Sequence, residues 1–361
     1  MFRDKEGMSM RDLVESQGEA GAVEVVRNCL ETKKLKPEDF SIKEIWESLH
    51  GAIRTKRDIA ESIVSSAFPK ITGEIINAKV INAYNSVSQV GDMLVTTVQS
   101  NLETETFAGF TEAETPEEVG EGMLYNDSTI TEKYVTVRAT KFGRKISITE
   151  EAIYFDKTGQ ILMRAQRVGA KAAQYRERMI MRGVQDLDTK VYNPSGVATA
   201  FYSTANNNLV ATNPFTDDGL DAVRLKASQM KDDSLGTIDD DFILIDLRNA
   251  IVLVPQQLER TAWEYANTVL APATAENAQN FYKGLFSVLS SPYVTQNSAT
   301  TWYWGDFKQD FIWQEVWPLQ TIAAPMNHPD AFDRDIKAQI KTRFYGNVGA
   351  IDFKHVIKST A

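Results

Sequence analysis

Between residues 101 and 149 the charges of this chain separate into two blocks. Residues 101–132 hold nine acids (Glu103, Glu105, Glu112, Glu114, Glu117, Glu118, Glu121, Asp127 and Glu132) and no lysine or arginine. Residues 133–149 hold five bases, Lys133, Arg138, Lys141, Arg144 and Lys145, and no acid. Charge of one sign at this density resists burial, because an unpaired ion loses its hydration when it leaves water. The segment divides at Glu132–Lys133 into an acidic half and a basic half. Its basic half opens as a strand, since Tyr134, Val135, Thr136 and Val137 form an unbroken aromatic and β-branched run. Side-chain alternation then sets Arg138 on the polar face with Tyr134 and Thr136.

A long helix follows. Ser147 and Glu150 have capping-box spacing, Asp156 can cap the next helix, and the pattern runs from about Thr158 to Val184. Ile161, Ala165, Val168, Ala172, Tyr175 and Met179 recur at spacings of four and three, which predicts one packing stripe. Gly169, Ala172 and Ala173 leave room for a second element to come close. The remaining surface reads as strongly basic, with Arg164, Arg167, Lys171, Arg176, Arg178 and Arg182 against Glu177 alone.

On either side the pattern is mixed. Residues 1–68 are polar and helical, broken at Lys36-Pro37, with Ser41 and Glu44 as a capping box and Phe40 and Ile45 at staple positions for a helix from Ile42 to about Leu49. Their low apolar content predicts an arm that rests on the body and is dispensable for folding it. Asp217 or Asp218 is expected to cap a helix reaching Met230, and Phe242–Ile245 and Ile251–Val254 read as buried strands ahead of a helix that Pro255 opens. Thr301–Trp304 and Phe311–Trp317 are aromatic runs around Gly305-Asp306, and Ala338–Phe344 and Ile351–Ile357 look like closing strands.

The 361 residues suggest about two or three folding units. A net charge of −10 argues against a surface built to neutralise many phosphates. The single cysteine, Cys29, allows neither an intrachain disulfide nor a thiolate metal cluster. The N-terminus shows no signal-peptide pattern, and no run approaches a membrane span. Phosphate-loop, dinucleotide, nucleophile-elbow and zinc-protease motifs are all missing, which argues against an enzyme and against a cofactor. His50, His328 and His355 are scattered and read as ordinary packing or surface histidines. Asp239–Asp241 reads as a solvated turn, since adjacent strand residues point to opposite faces.

This order of features, a helical arm, an acidic-to-basic hairpin, a long basic helix and then an α/β domain, resembles the major capsid proteins of tailed bacteriophages, the Hong Kong 97 capsid fold. The stretches that carry the likeness are Phe142-Gly143-Arg144-Lys145-Ile146-Ser147-Ile148-Thr149-Glu150-Glu151 and Val252-Leu253-Val254-Pro255-Gln256-Gln257-Leu258-Glu259. Ser290-Ser291-Pro292-Tyr293, Trp302-Tyr303-Trp304 and Lys341-Thr342-Arg343-Phe344-Tyr345-Gly346 continue it toward the C-terminus. The resemblance implies an α+β fold with an arm and lead-in over 1–95, an extended loop over 103–146, and a peripheral domain with a spine helix over 147–212. An axial domain over 213–318 and a return through the peripheral domain over 319–361 complete it, with the last strand rejoining the axial sheet.

It also implies a structural protein whose copies form pentamers and hexamers of an icosahedral shell around double-stranded DNA, held without sequence-specific reading. Portal, decoration and scaffolding proteins would be further partners, with no membrane, and assembly would take place in the host cytoplasm. Glu117, Glu118 and Glu121 would meet basic groups of a neighbouring subunit, and Arg138, Lys141 and Arg144 acidic ones. Lys133 would lie in the loop that carries a crosslinking lysine in some relatives. An encapsulin-type compartment around cargo enzymes and, in a different class, a soluble α/β hydrolase or carbohydrate-binding enzyme are the alternatives.

Overall fold

The computed structural model describes residues 10–32, 41–50, 67–110, 132–155, 160–188, 191–230, 250–272, 279–324 and 335–361. Glu117, Glu118, Glu121, Phe40, Asp156, the Asp239–Asp241 turn, the Phe242–Ile245 strand and His328 lie outside the described residues. The chain divides into two compact units, residues 1–88, 141–175 and 317–345 in one and 89–140, 176–316 and 346–361 in the other.

The first unit is built on helices α1 (Met10–Glu31), α2 (Ile42–His50) and α3 (Ala67–Ser86). The capping box at α2 forms as the spacing requires: Ser41 Oγ accepts from Glu44 N at 3.1 Å, and Glu44 Oε2 accepts from Ser41 N at 3.1 Å. Leu13, Val26, Ile42, Ile45 and Trp46 are buried in one cluster with Phe68, Ile71, Ile148, Leu162 and Ile340. Trp46 meets the ring of Phe68 edge-on at 4.7 Å. Arg27 binds Glu74 at 2.6 Å and Lys70 binds Glu19 at 3.0 Å, so charge also joins α1 to α3. This corrects the expectation of a dispensable arm. Its few apolar residues are too sparse for a core of their own, but they are the missing wall of this one.

Strands β1 (Thr96–Gln99), β2 (Thr104–Phe110), β3 (Glu132–Arg138) and β4 (Thr140–Thr149) lead to the short helix α4 (Glu150–Phe155) and the long helix α5 (Gln160–Val184). β2 and β3 form the expected antiparallel hairpin, in register from Thr104 opposite Arg138 to Phe110 opposite Glu132. Val135 and Val137 are buried while Tyr134 and Arg138 are exposed, as the alternation predicts. At α4 the cap differs from the expected Ser147. β4 runs on to Thr149, whose hydroxyl accepts from Ala152 N at 3.3 Å.

The second unit contains the five-stranded sheet of β5 (Leu209–Val210), β6 (Ala250–Val254), β7 (Phe286–Ser290), β8 (Trp302–Gly305) and β11 (Val356–Ser359), in the order β5-β11-β8-β6-β7. β6 and β7 are parallel, while β8 runs antiparallel to both β6 and β11. The last strand thus joins this sheet as expected, starting at Val356 and not at Ile351. Helices α6 (Asp217–Ser228), capped by Thr216 and not by an aspartate, and α7 (Gln256–Asn267) supply Leu220, Val223, Ala262 and Tyr265 to a core with Val252, Val254, Trp302 and Trp304. Pro255 sits at the N-cap of α7. After the short helices α8 (Pro292–Asn297) and α9 (Phe307–Asp310), the long strands β9 (Phe311–Ala323) and β10 (Ile336–Ala350) complete a sheet of order β1-β9-β10-β4. The two aromatic runs therefore belong to different sheets, because α9 turns the chain between them.

Candidate functional site

Helix α5 is one 25-residue element with two chemically opposed faces. Its buried positions are Leu162, Ala165, Gly169, Ala173, Arg176, Glu177, Ile180, Met181, Gly183 and Val184. The expected stripe is offset from this face. Of its members Ala165 is buried, Ile161, Val168, Ala172 and Met179 are half-buried, and Tyr175 is 43% exposed. Spacings of three and four fit either of two neighbouring faces. Gly169 selects the observed one in the first unit, because a Cβ there would lie 2.3 Å from the backbone oxygen of Val80, so only glycine lets α3 approach this closely.

Arg176 and Glu177 also depart from the surface placement expected of them, being 8% and 6% exposed. Arg176 Nη1 donates to Asp92 at 2.6 Å and to Gln89 at 2.7 Å, and its guanidinium lies 5.0 Å from the centre of the Trp313 ring. Glu177 accepts the Gly91 N–H with both oxygens. Burial pushes the Glu177 carboxyl above its ordinary value, against the opposing hydrogen bond from Gly91. A charge pattern alone cannot distinguish two buried, individually partnered ions from two solvated ones.

The exposed cations of α5 border a groove of about 770 Å³ within the first unit. Arg164, Arg167 and Lys171 line it from the helix, and Arg144 and Lys145 from β4. Among the described residues no acidic side chain lines it. Phe142, whose ring lies 5.1 Å from Tyr175 and 5.3 Å from Phe344, forms its apolar floor with Val168 and Leu319. Among the described residues Arg144, Arg164 and Arg167 have no ion-pair partner, and Lys171 meets only the amide oxygen of Gln174, at 2.8 Å. Burial of the adjacent core fixes the helix, so the cations are held close together despite their mutual repulsion.

The hairpin residues are less uniform than their charges suggest. Arg138 already pairs with Glu103, at 2.8 Å, with both groups exposed. Lys141 lies 5.8 Å from the centre of the Trp317 ring. Lys133 sits on β3 opposite Gly109. His355, read as an ordinary histidine, is bonded to the fully buried Asp310: Nδ1 lies 2.7 Å from Oδ1, and its backbone N–H donates to Oδ2 at 3.0 Å. Among the described residues no group of three or more metal-ligating side chains occurs, and no helix is long and apolar enough to cross a membrane.

A family model described as phage capsid protein matches residues 132–359. The chain belongs to the phage capsid protein family. The match runs from the returning strand of the hairpin to the last strand of the five-stranded sheet. The α+β, Hong Kong 97-type capsid fold implied by the element order holds, and the chain is a structural component of a capsid. No individually curated protein matches the sequence. Among solved structures the chain is similar to the capsid of a native GTA particle, at 11% identity and TM-score 0.49 over 76% of this chain and 91% of that one. It is also similar to the capsid of Cyanophage Pam1, at 10% identity and TM-score 0.48 over 71% and 84%. A virus-like particle from Pyrococcus furiosus matches at 7% identity and TM-score 0.43 over 79% and 97%.

Proposed function

We propose that many copies of this chain form pentamers and hexamers that close into an icosahedral shell around double-stranded DNA, assembled in the host cytoplasm. The observation that carries this reading is the family match over residues 132–359, which takes in both the hairpin strand and the long helix. Portal, decoration and scaffolding proteins would contact such a shell at defined places. The segments 1–95, 103–146, 147–212, 213–318 and 319–361 would serve as arm, extended loop, peripheral domain, axial domain and return.

The charge-segregated loop acquires a purpose in this setting. Exposed ion pairs contribute only about 0 to 1 kcal/mol each, so the pattern adds little to one subunit. Between copies, complementary charge sets register and disfavours wrong contacts. Glu117, Glu118 and Glu121 then face basic groups of an adjacent copy, and Arg138, Lys141 and Arg144 acidic ones, with Lys133 in the same loop. Electron microscopy of the expressed protein tests the reading. Closed shells containing nucleic acid are expected. Protein-filled shells would favour a cargo compartment, and a uniform small species at every salt and concentration would overturn it.

A further inference from the structure

We infer that the groove under helix α5 binds the phosphodiester backbone of nucleic acid without reading its sequence. The inference rests on the shell reading above, which brings nucleic acid to the protein.

Arg164, Arg167 and Lys171 are exposed and line one wall of the groove. At 1.5 Å per residue they span roughly 10 Å along the helix, and a nucleic-acid strand presents a charge about every 3.4 Å of axis. Three cations in that length therefore face about three successive phosphates. Two of the three are arginines, whose planar forks can each donate two bonds to one phosphate. One turn beyond Lys171 the exposed Tyr175 stands against Phe142, a platform on which a base could stack where the strand is single. On the floor, Thr342 keeps a buried hydroxyl with no partner among the described residues.

The net charge of −10 does not oppose this. Electrostatics at contact distance is set by the local groups, since more distant charges are screened over about 10 Å at 0.1 M salt. A carboxylate-rich peptide is the competing occupant. A helix-aligned row of cations ending at an aromatic ring fits a repeating phosphate chain better than it fits scattered carboxylates. Arg144 is already assigned to contacts with a neighbouring copy, so the test rests on the helix cations.

The full chain is titrated with fluorescein-labelled 20-base single-stranded and duplex oligonucleotides, and with a labelled peptide of residues 111–131, at 50 and 200 mM salt. If three phosphates are neutralised, duplex affinity falls about 40-fold across that range, and in Arg164→Gln/Arg167→Gln only about 3-fold. Both substituted residues are exposed, so melting should match wild type, and Arg260→Gln on α7 should bind as wild type does. A stronger response to the single strand than to the duplex would assign the base-stacking role to Tyr175. Oligonucleotide binding with an unchanged salt slope in the double variant, or binding of the peptide alone, would overturn the inference. Shells seen by microscopy alongside that negative result would leave the shell reading standing. Oligonucleotide binding without shells would remove the shell reading and keep the groove.

Discussion

Both carboxylate oxygens of Glu177 accept the backbone N–H of Gly91, at 3.0 and 2.9 Å, across 86 residues of sequence. The contact ties the long helix to the turn that precedes β1, and it forms inside the protein. The preceding residue, Arg176, holds Asp92 in the same turn. Two consecutive charged residues of a helix that looks basic and solvated are thus structural clamps.

Glu177→Ala should lower stability by about 1 to 3 kcal/mol, because it leaves a buried N–H without an acceptor. Glu177→Gln keeps one acceptor oxygen and should cost less. Urea midpoints of the two variants check this, and equal midpoints would mean that the Gly91 bond contributes nothing.

Two substitutions on α5 separate the expected packing stripe from the observed one. Ala165 is fully buried, so Ala165→Asp should abolish cooperative unfolding, since a buried unpaired carboxylate costs several kcal/mol of a marginal stability. Val168 is half-buried and stands four residues after Arg164 and three before Lys171, so an aspartate there has cationic neighbours. Val168→Asp should keep a cooperative melting transition where Ala165→Asp loses it. The reverse outcome would restore the stripe through Ile161, Val168 and Tyr175.

Local chemistry was legible in the sequence wherever a few neighbouring residues decide the outcome. The Ser41–Glu44 capping box, the Tyr134–Val137 strand and the extent of α5 all belong to that class, whereas the return of the last strand to the five-stranded sheet followed only from the family resemblance. What the sequence hid depends on distant partners. The helix face is chosen by Gly169 against Val80, the burial of Arg176 and Glu177 by the turn at Gln89–Asp92, and the role of the first two helices by a core spread over three segments of chain. The basic groove was half visible. Its cations were apparent as a basic helix, but only the pairing of β4 with β10 places Phe142 and Phe344 side by side as its floor.

The first two helices should be required for folding. Trp46 is 1% exposed, and Trp46→Ala should cost about 3 to 5 kcal/mol by cavity formation. Deleting residues 1–60 should remove cooperative unfolding of the first unit, followed by circular dichroism on heating. A truncated protein that melts as sharply as wild type would make the segment an appendage after all.

The Asp310–His355 pair sets a pH dependence. Burial pushes the Asp310 carboxyl up to about 7, despite the hydrogen bond and charge of His355, which act to lower it. For His355 burial acts to lower the value, but the bond and charge of Asp310, with Asp352 and Asp306 behind it, hold it above 6.5. Both groups therefore bind protons more tightly when folded. Their contribution is fully present below the unfolded aspartate value of 3.8 and is lost as pH rises through about 7 and then through the histidine's folded value. Between pH 5 and 8 the wild type should lose melting temperature relative to Asp310→Asn/His355→Gln, in which neither group titrates. Parallel curves for the two proteins would show that the pair does not govern this range.

The hairpin bases offer the most direct test of contact between copies. Arg138 and Glu103 are 75% and 57% exposed, so their bond is worth about 0 to 1 kcal/mol to one subunit, and Arg144 has no ion-pair partner among the described residues. Reversing Arg138, Lys141 and Arg144 to Glu together should leave circular dichroism unchanged and move the melting temperature by only a few degrees. Part of that shift comes from Lys141, which gives up its place over the Trp317 ring, a contact worth about 0.5 to 1 kcal/mol at an exposed site. Assembly should fail in the same variant, because each reversed base now repels the acids it is proposed to meet on the adjacent copy, and the penalty repeats at every equivalent interface. Wild-type assembly should weaken with salt far more than subunit melting does, since exposed charges are screened and the core is not. Light scattering and electron microscopy read the first effect and calorimetry the second. Normal shells from the triple reversal would place the contacts between copies elsewhere on the chain.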